Sequence, residues 1–378
     1  MNLRLITSAA LIGGSAIVGL PSHAQTREGE VIQFDAPGAA TTVSPICGSS
    51  CGTQALANND EGTVIGYYTD EYVVPHGFVR TRDGHFTSFD APGAGLGSYL
   101  DQGTVPVSIN DRGVIAGQYE DPNDVYHAFI RYPDGSFVSF DAPGAATAVT
   151  PQCAPNVCGT LAYSINIEGE TAGIYTDSGG NQHGFVRSRW GEITSFDPPG
   201  SVYTMVCEET CINREGTVTG SYLDASQTSH GFVRLRNGTL TTFEAPDVTT
   251  GGGGGGASIN DNGAVAGYIL AANGTYYGFV RHRDGTFSPN YQFSAPGPGT
   301  VFYSINLLGV TAGDYLDTSF AFHGLARWPS GEIETFDAPG AGSGLLQGTR
   351  SSTNNIKGEV TGWYIDSAGL NHGFVWKP

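Results

Sequence analysis

The chain is poor in positive charge. Lys357 and Lys377 are its only lysines, and Lys and Arg together number 17 against 36 Asp and Glu. The formal charge of −19 excludes nucleic acid as a partner, because phosphate binding needs a basic stripe. An acidic surface suits solubility, cations or neutral ligands instead. No apolar pattern of helical period runs far enough to compete with strands. Beyond residue 24 no apolar stretch reaches the ~20 residues of a membrane span, so membrane insertion is not expected. Neither His-Glu-x-x-His, nor a P-loop, nor the Gly-x-Ser-x-Gly elbow of a serine nucleophile is expected, which removes the enzymes those motifs mark. Glycine is abundant at 56 residues, and it falls at recurrent turn positions.

The N-terminus differs from the rest. Arg4 is the only charge in residues 1–24, Leu5 to Leu20 is apolar and small, and Ser22-His23-Ala24 offers a small-x-small cleavage site. This is the pattern of a secretory signal peptide, which makes residues 25–378 a secreted or periplasmic domain. Disulfides persist in such compartments. The six cysteines form close pairs, Cys47 with Cys51, Cys153 with Cys158 and Cys207 with Cys211, and local bonding is expected. A zinc site is the rival, but each loop offers two thiolates and no nearby histidine.

Three markers recur through the chain. A Phe-Asp-Ala-Pro-Gly corner or its variant begins at Phe34, Phe89, Phe140, Phe196, Phe243, Phe293 and Phe336. Ser-Ile-Asn-x-x-Gly is clear at Ser108, Ser164, Ser258 and Ser304, with degenerate copies around Asn59, Asn213 and Asn355. His-Gly-Phe-Val-Arg or its variant starts at His76, His127, His183, His230, Tyr277, His323 and His372. Each repeat reads as four short strands. Asp-Gly or Asn-Gly between the third and fourth predicts a type I′ hairpin, and Pro-Gly in the corner predicts a type II turn. A four-stranded unit of about 50 residues matches a propeller blade. The expected fold is therefore all-β, a single seven-bladed β-propeller over residues 25–378. Val31 to Phe34 is a fourth strand without its first three, and Gly373 to Trp376 is a third without its fourth. One blade is thus expected to be completed from both termini, closing the ring.

These motifs resemble the extracellular HAF-repeat family, whose His-Ala-Phe core stands here as His127-Ala128-Phe129. The resemblance covers about residues 31–378. The fifth repeat departs most, with Tyr277 for the His, Ser294 for the Asp, and Gly251 to Gly256 filling its loop. The resemblance implies a bacterial exported protein and brings no catalytic residues.

His76, His127, His183, His230, His323 and His372 share one repeat position. Metal or acid–base chemistry needs an asymmetric constellation, so a repeated structural role is expected, each imidazole bonding its own blade's Asp or backbone. The following arginines, from Arg80 to Arg327, are expected to pair with carboxylates. Tyr119, Tyr175, Tyr222, Tyr315 and Tyr364 are expected in the core. Asp70, Asp121, Asp177, Asp224, Asp317 and Asp366 suit turns, with structural calcium the one cofactor left open. Function is expected in three loops, Ala39–Ala57, Ala145–Tyr163 and Ser201–Cys211, the last carrying Glu208 and Glu209. No catalytic residue is assigned. The reading is a monomeric binding module for an extracellular glycan or protein. An exported polysaccharide lyase or glycoside hydrolase and a cell-envelope scaffold are the alternatives.

Overall fold

The computed structural model describes residues 29–44, 50–97, 102–153, 158–207, 210–245, 253–271, 274–288 and 299–378. Among them every regular element of more than one turn is a strand. The third repeat shows the pattern: Gly159–Ile165, Thr171–Thr176, Gln182–Arg187 and Ile193–Phe196 pair antiparallel in sequence order. Its first strand carries a bulge between Ala162 and Ser164, and bulges recur at the matching place elsewhere, as in Gly52–Asn58 and Gly103–Ile109. The third strand buries one aromatic ring completely. Phe78, Phe129, Phe185, Phe232, Phe279 and Phe374 are all 0% exposed, each contributing about 2–3 kcal/mol. The preceding glycine has a steric reason. A Cβ on Gly184 would lie 2.6 Å from the Phe196 ring, which crosses it from the fourth strand.

The turns partly follow expectation. In the corner, Ala145 N–H donates to the Ala142 carbonyl and Gly144 has φ of 97°, a type II turn. The hairpin turn is different. Gly135 N–H donates to Tyr132 and has φ of 87°, while Asp134 stays at negative φ. The turn is thus type I followed by a glycine bulge, not type I′, and Pro133 suits its first central position.

Successive repeats are tied in several ways. Gly159 bridges Tyr126 of the preceding repeat in parallel, and Gly348 bridges Phe322 likewise. The corner's Ala142 N–H donates to Thr160 Oγ1 in the next first strand, as Ala91 does to Thr104. The arginines correct the expectation of carboxylate partners. Arg80, Arg131, Arg187, Arg234 and Arg281 lie over Phe34, Phe89, Phe140, Phe196 and Phe243 of the preceding corner, at 4.6–4.9 Å. An aromatic face attracts a guanidinium that is buried or partly buried without requiring that a carboxylate be desolvated as well.

The asparagines of the Ser-Ile-Asn positions form a relay. Asn59 Nδ2 donates to the Asn110 carbonyl, Asn110 to Asn166, Asn166 to Asn213, Asn213 to Asn260, Asn260 to Asn306 and Asn306 to Asn355. Asn355 Nδ2 donates to the Asn59 carbonyl, so the series returns to its start. All of these bonds measure between 2.8 and 3.2 Å.

The first and last described strands also meet. Glu30–Phe34 pairs antiparallel with Asn371–Lys377, Phe34 opposite Gly373, and Gly52 bridges Asn371 in parallel. Phe34 also contacts Phe78 and Arg80 of the next repeat. Deleting residues 25–40 should lower Tm by roughly 10 °C, since it removes a whole strand and a buried ring. A negligible change in a thermal melt would show that this strand holds nothing together.

Candidate functional site

The histidines fall at one repeated station. The His127 ring stacks on Tyr119 with centroids 5.1 Å apart. Its Nδ1 lies 2.9 Å from Asp141 of the corner, and its Nε2 3.7 Å from Asp121. His76, His183, His230, His323 and His372 repeat this between Asp90 and Asp70, Asp197 and Asp177, Glu244 and Asp224, Asp337 and Asp317, and Asp35 and Asp366. The loop carboxylates are already engaged, Asp121 Oδ1 accepting the N–H groups of Asn123 and Val125. Tyr68, Tyr119, Tyr175, Tyr222 and Tyr364 are buried under these rings, and Tyr315 is half-buried.

The expected loops need correction. Ser201–Val206 is not a loop but a first strand, and the corresponding strands Gly52–Asn58 and Gly159–Ile165 take up the ends of the other two. Cys207 and Cys211 bracket a short insertion in that strand, after which Ile212 bridges Val218. Cys207–Cys211 and Cys153–Cys158 are disulfides, as expected. Cys51 is disulfide-bonded as well, while Cys47, Glu208 and Glu209 lie outside the described residues. The glycine run is corrected too: Gly253–Gly256 belongs to the strand Gly253–Ile259. A Gly-x-Ser-x-Gly string occurs at Gly48–Gly52, but Ser50 leads into a strand, not the strand-to-helix elbow that exposes a nucleophile.

Asymmetry is greatest at one cross-strand pair. One residue of each first strand, the third in all but Ser201–Val206 where it is the fifth, faces the residue after the Gly of Gly-x-Tyr (Gly-Tyr-Ile in the fifth repeat) in the second. The pairs are Gln54–Tyr67, Val105–Gln118, Leu161–Ile174, Met205–Ser221, Gly255–Tyr268, Val301–Asp314 and Arg350–Trp363. The Thr before it recurs in six of the seven first strands and the Gly of the second strand in all seven, whereas these paired positions do not repeat. In the later repeats they open a hollow of about 440 Å³, lined by Met205, Ser221, Tyr268, Tyr303, Arg350 and Trp363 among others. Gly255 makes the room, since it places no side chain opposite Tyr268. The first strand also packs closely on the fourth repeat, where a Cβ on Gly255 would meet the Ser221 Cβ at 2.3 Å.

Arg350 is the charged centre of this hollow. Its guanidinium carbon lies 4.4 Å from the Phe322 ring centroid and 5.1 Å from that of Trp363. Its Nε stands 3.8 Å from Asp314 Oδ2, and Asp314 also accepts the Ser351 N–H at 2.5 Å. Asp314 is 2% exposed, and burial pushes its carboxyl up to about 7 against the opposing pull of Arg350. Burial likewise raises the Tyr303 phenol, which bonds Arg350. Tyr268 meets Tyr276 and Tyr303 edge to face at 6.0 and 6.5 Å. The site therefore offers aromatic faces, hydroxyls and one cation. Sequence reading missed it because its residues lie between the markers. Aligning the repeats and asking which strand positions refuse to repeat is the signal that finds it.

Two pH dependences follow. The Nδ1 carboxylates raise the pKa of His76, His127, His323 and His372 above the ordinary ~6.5. Their stabilisation is full below about pH 6.5 and fades as pH rises through the raised folded values. Replacing His127 with Gln should flatten the fall in Tm between about pH 6 and pH 9, and an unchanged slope would deny the pair its role. Asp314 also has a raised folded pKa, so its contribution is full below about pH 4 and is lost as pH rises through 7. Asp314→Asn should therefore gain Tm over the native chain at about pH 8.5, the gap narrowing steadily toward about pH 4. A gap independent of pH would refute the assignment.

No family model matches the sequence, and no curated protein is significantly similar to it. Solved structures do resemble it. The structure of streptogramin B lyase superposes with a TM-score of 0.53 at 13% identity, covering 92% of this chain and 97% of that one. The crystal structure of puromycin hydrolase gives 0.52 at 13% identity, covering 89% of this chain and 56% of that one. At such identities the likeness concerns fold alone. Joined to the repeated antiparallel units, it makes this chain an all-β protein with a β-propeller fold.

Proposed function

We propose that the chain is an exported seven-bladed β-propeller of the HAF-repeat kind, closed by its N-terminal strand, that binds a saccharide in the hollow around Arg350. The return of the asparagine relay to Asn59 supports seven blades and closure. The disulfides and the apolar leader support export. One observation carries the functional reading. The non-repeating strand positions gather Tyr268, Tyr303, Trp363 and Arg350 at one hollow of about 440 Å³, a volume that suits a small ligand. Flat rings pack on the apolar face of a sugar, while Ser221, Ser351 and Arg350 offer hydrogen bonds to its hydroxyls.

A lyase or hydrolase is the second reading, favoured by the carboxyl of Asp314 near neutrality. Asp314, however, does not line the hollow, and its bonds hold Ser351 and Arg350. It suits positioning of the arginine better than proton transfer to a ligand. Titration against a panel of neutral and acidic oligosaccharides should give one site in this hollow. Trp363→Ala or Tyr268→Ala should weaken it by about tenfold or more, in line with ~1–1.5 kcal/mol per ring contact. Several equivalent sites would sink the reading, and release of reducing ends or unsaturated sugars would replace it with the enzymatic one.

A further inference from the structure

The hairpin turn between third and fourth strands carries Asp83, Asp134, Asn237 and Asp284 at one position. There the side chain accepts a backbone N–H of its own turn, as Asp134 does from Ser136. In the third blade the residue is Trp190, which cannot do this, and Ser188 Oγ accepts the turn's N–H groups instead. Trp190 is 78% exposed. It is the most exposed large apolar side chain among the described residues, and an occupant would bury it.

The adjoining arginines are also out of pattern. The exposed Arg82, Arg214, Arg236 and Arg283 pair with Glu359, Asp261, Glu170 and Glu215 at 2.7–3.6 Å. Glu359 and Glu170 directly follow the glycine of the preceding blade's asparagine turn. For Arg189, the residue at that place is Val114, and its guanidinium lies over Trp190 at 4.3 Å. Arg112, on the neighbouring turn, is exposed as well. Among the described residues no carboxylate lies within ion-pair distance of Arg112 or Arg189. Both line one hollow of about 290 Å³, together with Tyr132, Trp190, Val114 and Glu168. In a chain of charge −19, two unpaired cations thus converge beside two exposed rings.

We infer that this hollow is a second, peripheral site, and that it takes an acidic sugar. Trp190 and Tyr132 pack on the apolar face of the ring, and Arg112 and Arg189 bind its carboxylate. Glu168 opposes the ligand's charge and limits its affinity. The inference is independent of the site around Arg350.

The test uses the whole mature chain, with a trimer of galacturonic acid as probe and its methyl ester as the neutral control, followed by calorimetry and tryptophan fluorescence. The acid should bind, the ester about tenfold more weakly, and raised salt should weaken the acid alone. The double variant Arg112→Ala/Arg189→Ala and the single variant Trp190→Ala should each lose about tenfold or more without a change in Tm, since these side chains are exposed. Glu168→Gln should tighten binding a few-fold, and Trp363→Ala should leave this site untouched. Failure of the native chain to bind the acid, equal binding of acid and ester, or full binding by the double variant would overturn the inference. Loss on Trp363→Ala instead would transfer the acid to the other hollow and overturn it too.

Discussion

The relay of asparagine amides is the interaction on which the remaining architecture rests. The ends of the first strands bring a set of backbone carbonyls together where no strand can donate to them. A buried carbonyl without a donor costs about 1–3 kcal/mol, so each must be met. One residue type meets the demand in every copy. The amide nitrogen of Asn110 serves Asn166, and its oxygen accepts the N–H groups of Arg112 and Val114 in its own turn. The planar amide of Asn or Gln places a donor and an acceptor on separate atoms that can serve two partners at once, and the shorter Asn suits a turn. The glycine three residues on, such as Gly113 with φ of 72°, closes that turn.

With one end pinned, the first strands hold their spacing along their length, and side chains opposite each other across the strand pairs are presented reproducibly. That is why a difference at one station has a local effect. Gly255 puts no side chain opposite Tyr268 and lets its strand approach Ser221 closely, and Tyr268, Trp363 and Arg350 line the hollow beside it. The outer ties work similarly. A corner phenylalanine lies across a glycine of its own blade and beneath an arginine of the next, so one ring joins two blades. The candidate sites occupy places where this pattern is broken: a glycine strand at the centre, and a tryptophan turn at the rim.

The degree to which this was legible differs by residue. Phe185, His183 and Gly144 announce themselves by recurrence, since each blade poses the same packing and turn problem and receives the same answer. The hairpin turn misled because Asp-Gly fits two turn types, and the choice depends on φ of Asp134, which composition does not reveal. The arginines misled because pairing with carboxylates is the commoner surface outcome, whereas these side chains are buried or partly buried with the guanidinium over a ring 4.6–4.9 Å away.

Repetition alone determined the all-β class, the four-strand unit, the corner turn, the local disulfides at Cys153–Cys158 and Cys207–Cys211, and the meeting of the first and last strands. All but the last follow from local periodicity and turn chemistry, which operate within a few tens of residues, and the last follows from the phase of the repeats. Only the tertiary structure decided where chemistry gathers. Tyr268, Tyr303, Arg350 and Trp363 are spread over almost a hundred residues of sequence, and Arg112 and Trp190 over almost eighty. They converge because strand and turn positions of different repeats face common spaces.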